Sequence, residues 1–374
     1  EDGRCVLHPT RELEWSEERN WFFRLTRFEP FLKAHFANNP GFLLPESRRN
    51  EVLALLEGGL EDISVTRSRL EWAIPFPRPT STGEAQGTWV WFDALPNYLT
   101  ATGYPDPGFE TLWPAQLHVI GKDITRLHCV IWPAMLHAAE LPLPQAVWAH
   151  GFVTYGGEKF SKSWGVRLDL DEAIDRHGAD AFRYFLLREV PWDGDGGFTY
   201  ERFDERYTSE LANDLGNLAN RSLAMLAKYR DGRVPQAAPT LMDAFVDDAI
   251  SCYVDRMDRL LLHEGAAAAF SVVSEANSFI VQNEPWKLAK DAGRSDDLDG
   301  VLTSLVRVLA TVSVLLSPFM PERMQALWER LGSGVDMPTL KSLAEMSPAG
   351  WSASQGEVLF PRPELVAQER SSSS

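Results

Sequence analysis

The chain has 374 residues, room for two or three domains at about 100–200 residues each. With 44% hydrophobic and 24% charged residues it is no disordered polymer, and a formal charge of −17 excludes the general basic coat of a non-specific nucleic-acid binder. Three scattered cysteines (Cys5, Cys129, Cys252) argue against a disulfide framework, and no apolar run approaches the ~18–20 residues of a membrane span, so a cytoplasmic protein that meets no membrane is expected. Thirteen tryptophans are many for this length and point to a pocket as well as a core.

In chain order, residues 1–80 are polar and aromatic by turns, with 46–50 leading into a short helix expected over 51–56. Thr88-Trp89-Val90-Trp91-Phe92 is a continuous apolar, β-favouring run and predicts a buried strand. Residues 117–120, closed by Gly121, predict a second strand. Residues 124–140 predict a helix kinked by Pro133, and 146–150 a third strand. Strand, helix, strand at this spacing is a βαβ crossover, so the sheet is expected to be parallel. Residues 169–189 read as one helix with acidic residues at its start, favourable to the macrodipole. Beyond about Phe203 the strand signals stop, and amphipathic stretches at 204–230, 241–263, 264–290 and 297–316 predict an all-α domain. The expected fold class is α/β followed by all-α. The tail, 366–374, is a polar low-complexity end without a folding signal.

The sharpest chemical feature is Gly156-Gly157-Glu158-Lys159-Phe160-Ser161-Lys162-Ser163-Trp164-Gly165. Two lysines three apart in a glycine-flanked loop suit a mobile clamp on a polyphosphate, because ammonium groups neutralise charge building up on transferring phosphoryl oxygens. A solvated lysine loop is the alternative on spacing alone. Ile124, His128 and Trp132 stand at i, i+4 and i+8, sharing one helix face of about 80°. With Trp91 and Tyr98 from the neighbouring strand and its exit, they could enclose an unbranched thioether, whose polarizable sulfur gains from aromatic contact. An ordinary aromatic core beside a sheet is the alternative. Asp123, at the carboxyl end of a parallel strand, sits where α/β folds bind ligands, or else caps the following helix. Asn217 and Arg221 are i, i+4 on a helix with an apolar stripe of Leu211, Leu215, Leu218 and Leu226, and so point away from it, to solvent or a partner.

The segment Lys159-Phe160-Ser161-Lys162-Ser163 resembles the KMSKS signature of class I aminoacyl-tRNA synthetases, with Phe160 where Met is usual. Further segments are similar, in order and spacing, to those of the methionyl-tRNA synthetase family: Trp91-Phe92-Asp93-Ala94 with Tyr98, and Gly121-Lys122-Asp123-Ile124 with His128 and Trp132. Asn213-Asp214-Leu215-Gly216-Asn217-Leu218, Asn283-Glu284-Pro285-Trp286 and Leu359-Phe360-Pro361 continue the likeness, which covers nearly the whole chain. It implies the end of a connective insert and the return to the catalytic domain at 1–80, and the second half of a Rossmann-type parallel-sheet catalytic domain at 81–155. The KMSKS loop and a stem-contact region at 156–203 and an α-helical anticodon-binding domain at 204–365 would follow. The implied reaction is the ATP-dependent activation of methionine, with Mg2+, and its transfer to tRNA(Met).

By the same resemblance, Lys159, Ser161, Lys162 and Ser163 are catalytic, and Gly121 and Asp123 join the two lysines at ATP and the adenylate. Trp91, Ala94, Tyr98, Ile124, His128 and Trp132 would select methionine. Asn217, Arg221 and Trp286 would read the CAU anticodon by hydrogen bonds to base edges and by stacking; a surface helix and a buried tryptophan are the alternative. Arg67 matches a family arginine near the active site, with a plain exposed arginine as the simpler account. Cys5 and His8 resemble the last half of a zinc knuckle. Zinc takes about four ligands and the chain has no Cys-x-x-Cys, so zinc is expected only in a complete enzyme.

The family's second nucleotide signature, His-x-Gly-His, is not found: the nearest pair of the eight histidines, His128 and His137, are nine apart. The chain therefore reads as the carboxyl-terminal two-thirds of the family's core, a monomer by default, with a separate N-terminal half as a partner if the enzyme is split. Two other readings stay open: a class I ligase for leucine, isoleucine, valine or cysteine, and a non-catalytic tRNA-binding module.

Overall fold

The structure, a computed structural model, describes all residues except 1–3, 6–7, 13–16, 69, 71, 156–157, 160–168, 192 and 363–374; of 4–5, 8–12, 158–159 and 344 the backbone alone is described. The chain divides into two units, Glu1–His150 and Gly151–Ser374.

In the first unit, β1 (Arg4–Cys5) and β2 (His8–Glu12) form an antiparallel pair with Cys5 opposite His8. Short antiparallel ladders join β3 (Phe22–Phe23) to β5 (Ile63–Ser64) and β6 (Thr66–Arg67) to β7 (Gly87–Thr88). The central sheet is parallel, in the order β4 (Leu43–Leu44), β9 (Val147–His150), β8 (His118–Gly121). Its strands present Leu43, Ile120, Val147 and Ala149 to a core shared with Leu32 and Phe36 of α1 (Glu29–Asn38) and Val52 and Leu56 of α2 (Glu46–Glu57). The expected βαβ unit is present: β8 and β9 pair in parallel across the helical crossover.

Several expectations need correction. Helix α2 starts at Glu46, five residues before the expected 51, because Pro45 holds the extended conformation of a cap residue and Glu46 suits the first turn. The strand expected at 88–92 stops at Thr88. The ladder with β6 spans two residues; once Trp89 N–H has bonded Val65 O at 2.8 Å no partner remains, and the chain turns into the helix α3 (Val90–Ala94). A continuous apolar run does not distinguish strand from buried helix. Tyr98 follows on α4 (Asn97–Thr100). The helix expected over 124–140 is a composite: a 3₁₀ turn at Lys122–Ile124, a π turn at Leu127–Ile131, then α5 (Trp132–Ala138). Trp132 N–H bonds five residues back, to Leu127 O, just before Pro133, which has no N–H to give. The wide turn absorbs the missing bond in place of a simple kink.

In the second unit, β10 (Val153–Tyr155) lies between β11 (Glu158–Lys159), antiparallel, and β12 (Gly196–Phe198), parallel. The single helix expected over 169–189 is two, α6 (Leu170–His177) and α7 (Ala179–Glu189), broken at Gly178 with φ 90° and ψ 161°. Asp169 caps α6, accepting from Asp171 N–H and Glu172 N–H. The remainder is helical: α8 (Tyr200–Arg206), a π segment at Tyr207–Gly216, α9 (Asn217–Arg230), α10 (Leu241–Asp258), α11 (Leu262–Asn283), the short α12 (Pro285–Leu288), α13 (Ser295–Leu316) and α14 (Pro321–Arg330). The sequence reading missed α14, although Pro321 and Glu322 in its first turn are start signals.

No membrane-length apolar run was expected, and one helical stretch, Ala292–Leu316, reaches that length and apolarity. Its most apolar window is 83% buried within the protein, as the central helix of a bundle would be. It contacts α9, α10 and α11 and shares one core with Leu218 and Leu226 of α9, Val246 of α10 and Val272, Val273 and Ala276 of α11.

Candidate functional site

The crossover from β8 to α5 brings three of the expected methionine-site residues together. Tyr98 Oη lies 2.9 Å from His128 Nε2, and the Tyr98 and Trp132 rings are 6.2 Å apart. His128 and Trp132 are buried, Tyr98 and Ile124 partly so. His128 Nδ1 is 3.1 Å from Ile124 O. A carbonyl only accepts, so the imidazole proton sits on Nδ1; Nε2 is then the acceptor and the Tyr98 hydroxyl the donor. The expected i, i+4 relation of Ile124 and His128 is thus realised as a side-chain-to-backbone bond that fixes the tautomer.

Burial holds the His128 pKa below its ordinary value, although the bond to Ile124 O pulls the other way, and burial raises that of Tyr98. Both groups are neutral near pH 7. The outcome is a cluster of aromatic faces with one committed hydrogen bond.

A residue not anticipated from sequence stands behind it. His118 on β8 is 4% exposed, and its ring lies 4.3 Å from Tyr98, 6.2 Å from His128 and 6.1 Å from Trp113. Burial, with the neighbouring His128 second, lowers its pKa to about 4. No local pattern marks it; it occupies an inward strand position that an apolar residue would also fill. Trp91 and Ala94, on α3, are half-buried, and among the described residues no ring contact joins Trp91 to Tyr98, His128 or Trp132.

At the carboxyl end of β8, Asp123 is exposed, and a Cβ on Gly121 would meet its Oδ1 at 2.8 Å, so a larger residue at 121 would make the Asp123 carboxylate shift. Arg67 is not a free surface arginine. It donates to Thr66 O at 2.7 Å and Ser64 Oγ at 2.9 Å and lies over the Trp89 ring at 5.5 Å, in an open groove of about 900 Å³ shared with Trp72, Ile74, Val90 and Asp93.

Lys162, Ser161 and Ser163 lie outside the described residues; Lys159 is placed by its backbone, opposite Thr154 in the β10–β11 hairpin. In the helical unit Asn217 is exposed, Arg221 partly so and Trp286 39% exposed, and among the described residues none has a side-chain partner. Trp286 is therefore not the buried tryptophan of the alternative reading. Cys5 faces His8 in its hairpin, their side chains lying outside the described residues; among those that are described, no three His, Cys, Asp or Glu side chains gather to hold a metal.

The parallel sheet followed by helices agrees with what known proteins show. Residues 1–223 match the family model for class I tRNA synthetases (M). The methionine–tRNA ligase of Brucella melitensis is 42% identical over 360 residues, covering 94% of this chain and 68% of that protein. That of Caldanaerobacter subterraneus is 41% identical, covering 96% of this chain and 57% of its own length. Among solved structures, Mycobacterium tuberculosis methionyl-tRNA synthetase in complex with methionyl-adenylate superposes with a TM-score of 0.86 at 36% identity, over 94% of this chain and 70% of that one. The chain belongs to the methionine–tRNA ligase family of class I aminoacyl-tRNA synthetases.

Proposed function

We propose that this chain supplies the methionine-selecting wall, the phosphate-binding loop and the tRNA-reading helices of a methionine–tRNA ligase. The observation that carries the reading is the Tyr98–His128 hydrogen bond beside Trp132, on the crossover leaving a parallel strand, in a chain of this family. In the reaction, the methionine carboxylate attacks the α-phosphorus of ATP, held with Mg2+, giving methionyl-adenylate and pyrophosphate. The 3′-terminal ribose hydroxyl of tRNA(Met) then takes the methionyl group.

In this reading Tyr98, Ile124, His128 and Trp132 enclose the methionine side chain, with Trp91 and Ala94 closing on it from α3. Gly121 lets the backbone approach the nucleotide, and Asp123 orders the methionine and adenosine ends. Lys159 and Lys162, with Ser161 and Ser163, neutralise the pentacoordinate phosphate, an effect of charge and position. Asn217, Arg221 and Trp286 read the anticodon; their full or partial exposure, with no side-chain partner among the described residues, supports that role. Arg67 borders the site through Trp89. The cytoplasm is the expected compartment.

The deciding experiment is methionine-dependent ATP–pyrophosphate exchange on this chain. Exchange that disappears in Lys159→Ala and Lys162→Ala supports the full reading. Silence in folded protein that still binds tRNA(Met) makes the chain a tRNA-binding piece whose adenylation requires more of the relatives' length. Failure of both overturns the proposal.

A further inference from the structure

We infer that His118 is a positioning residue for methionine selection: its ring holds Tyr98 so that the phenol hydroxyl stays on His128 Nε2. The inference rests on the reading of Tyr98, His128 and Trp132 as the methionine wall. Tyr98 is carried by a helix of four residues, and something outside that helix must set its ring plane. Of the rings around it, His118 is nearest at 4.3 Å, against 5.7 Å for His128 and 6.2 Å for Trp132.

His118 stands on a hydrogen-bonded strand. It pairs with Val147 in the parallel ladder, and its N–H bonds Ala146 O at 2.9 Å. Trp113, tied by Nε1 to Pro142 O at 2.9 Å, flanks it on one side and His128 on another. The ring is therefore the fixed surface and Tyr98 the part that is placed.

The chemistry of the imidazole supports the same division of labour. His118 Nε2 is buried with no hydrogen-bond partner among the described residues. A polar atom left so is costly compared with an apolar ring of the same shape, so Nε2 is not what holds the ring there. Its flat face lies against Tyr98. Trp132 Nε1 is likewise buried without a partner, so the hydrogen bond from Tyr98 to His128 is the one polar link recorded among these rings.

The test is carried out on the full chain with histidine ring nitrogens labelled for NMR. Tyr98→Phe supplies the reference signal for a His128 Nε2 that accepts nothing. His118→Val removes the ring while keeping a residue suited to a strand, and His118→Phe restores a flat face without the nitrogens. We expect the His128 Nε2 resonance of His118→Val to move to the Tyr98→Phe position, and that of His118→Phe to stay at the wild-type position. Methionine affinity should fall about tenfold in His118→Val and recover in His118→Phe. A folded His118→Val with the wild-type His128 signal overturns the inference, as does a His118→Phe that fails to restore it. A merely structural role would lower the melting temperature and leave the resonance in place. If wild type binds no methionine but the resonances shift as expected, the functional reading fails while the positioning of Tyr98 stands.

Discussion

At Tyr98 the phenol proton is committed to His128 Nε2, because Nδ1 of that imidazole already serves the Ile124 carbonyl. Tyr98→Phe leaves a buried acceptor without its donor, a loss of about 1–3 kcal/mol, to be read as a lower urea midpoint with an unchanged slope. The buried histidines also set a pH dependence. The pKa of His118 is about 4 in the folded chain against about 6.5 when unfolded, and the titratable rings against it are His128 and Tyr98. Between those values the unfolded chain binds more protons, so stability falls as pH drops from about 6.5 towards 4 and is insensitive to this group above about 7. His128, also depressed, adds to the same slope. Unfolding midpoints measured from pH 4 to 8 should show the decline, and His118→Phe should make it shallower, the share of His128 remaining.

Single positions decide where elements end. Gly178, with φ 90° and ψ 161°, divides what would be one helix into α6 and α7, and a Cβ there meets no atom within 4 Å. Gly178→Ala should therefore cost about 1–3 kcal/mol through backbone strain alone, visible as a lower melting temperature. At the start of α10, Asp243 accepts from Thr240 N–H at 2.7 Å, Ser304 Oγ at 2.6 Å and Arg307 Nη1 at 3.1 Å, tying α10 to α13. Burial by itself would raise its pKa; the bonds from Ser304, Thr240 and Arg307 outweigh it and hold the carboxyl below its ordinary value. Asp243→Ala removes the return bond of the capping box and leaves Arg307, itself mostly buried, with the Asp247 carboxylate and the main-chain carbonyl of residue 243 among the described residues. A loss of about 2–4 kcal/mol is expected, read by denaturant unfolding. Pro133 shows the opposite case, where a missing N–H is accommodated by a π turn and the helix continues.

For the molecule as a whole, a charge of −17 and tRNA recognition are compatible if recognition rests on a few local groups and stacking. Trp286 is 39% exposed and Arg221 has no acidic partner among the described residues. Trp286→Ala should weaken tRNA(Met) binding by about 1–3 kcal/mol, the range for one stacked base, while far-UV circular dichroism stays as in wild type. Arg221→Ala should weaken it as well, and comparison of anticodon variants will show whether the loss depends on sequence. Unchanged affinity in Trp286→Ala would remove the anticodon assignment. The long apolar helix Ala292–Leu316 is explained at this scale too: its apolar circumference is covered by α9, α10 and α11.

What the chain's own order of residues determined is the architecture that depends on local pattern. Continuous apolar runs marked β8 and β9, helical periodicity marked the bundle, and the ordered motifs that resemble a known family pointed to the chemistry, because each signal lies within a few neighbouring residues. Tertiary structure decided what depends on partners far along the chain. The run at 88–92 became α3 because the strand beside it ends, a fact held in residues 65–67. His118 came to face Tyr98 because a parallel ladder fixes β8 while a short helix twenty residues earlier lies against it. Local sequence sets which conformations are cheap; packing and hydrogen-bond satisfaction between distant segments choose among them.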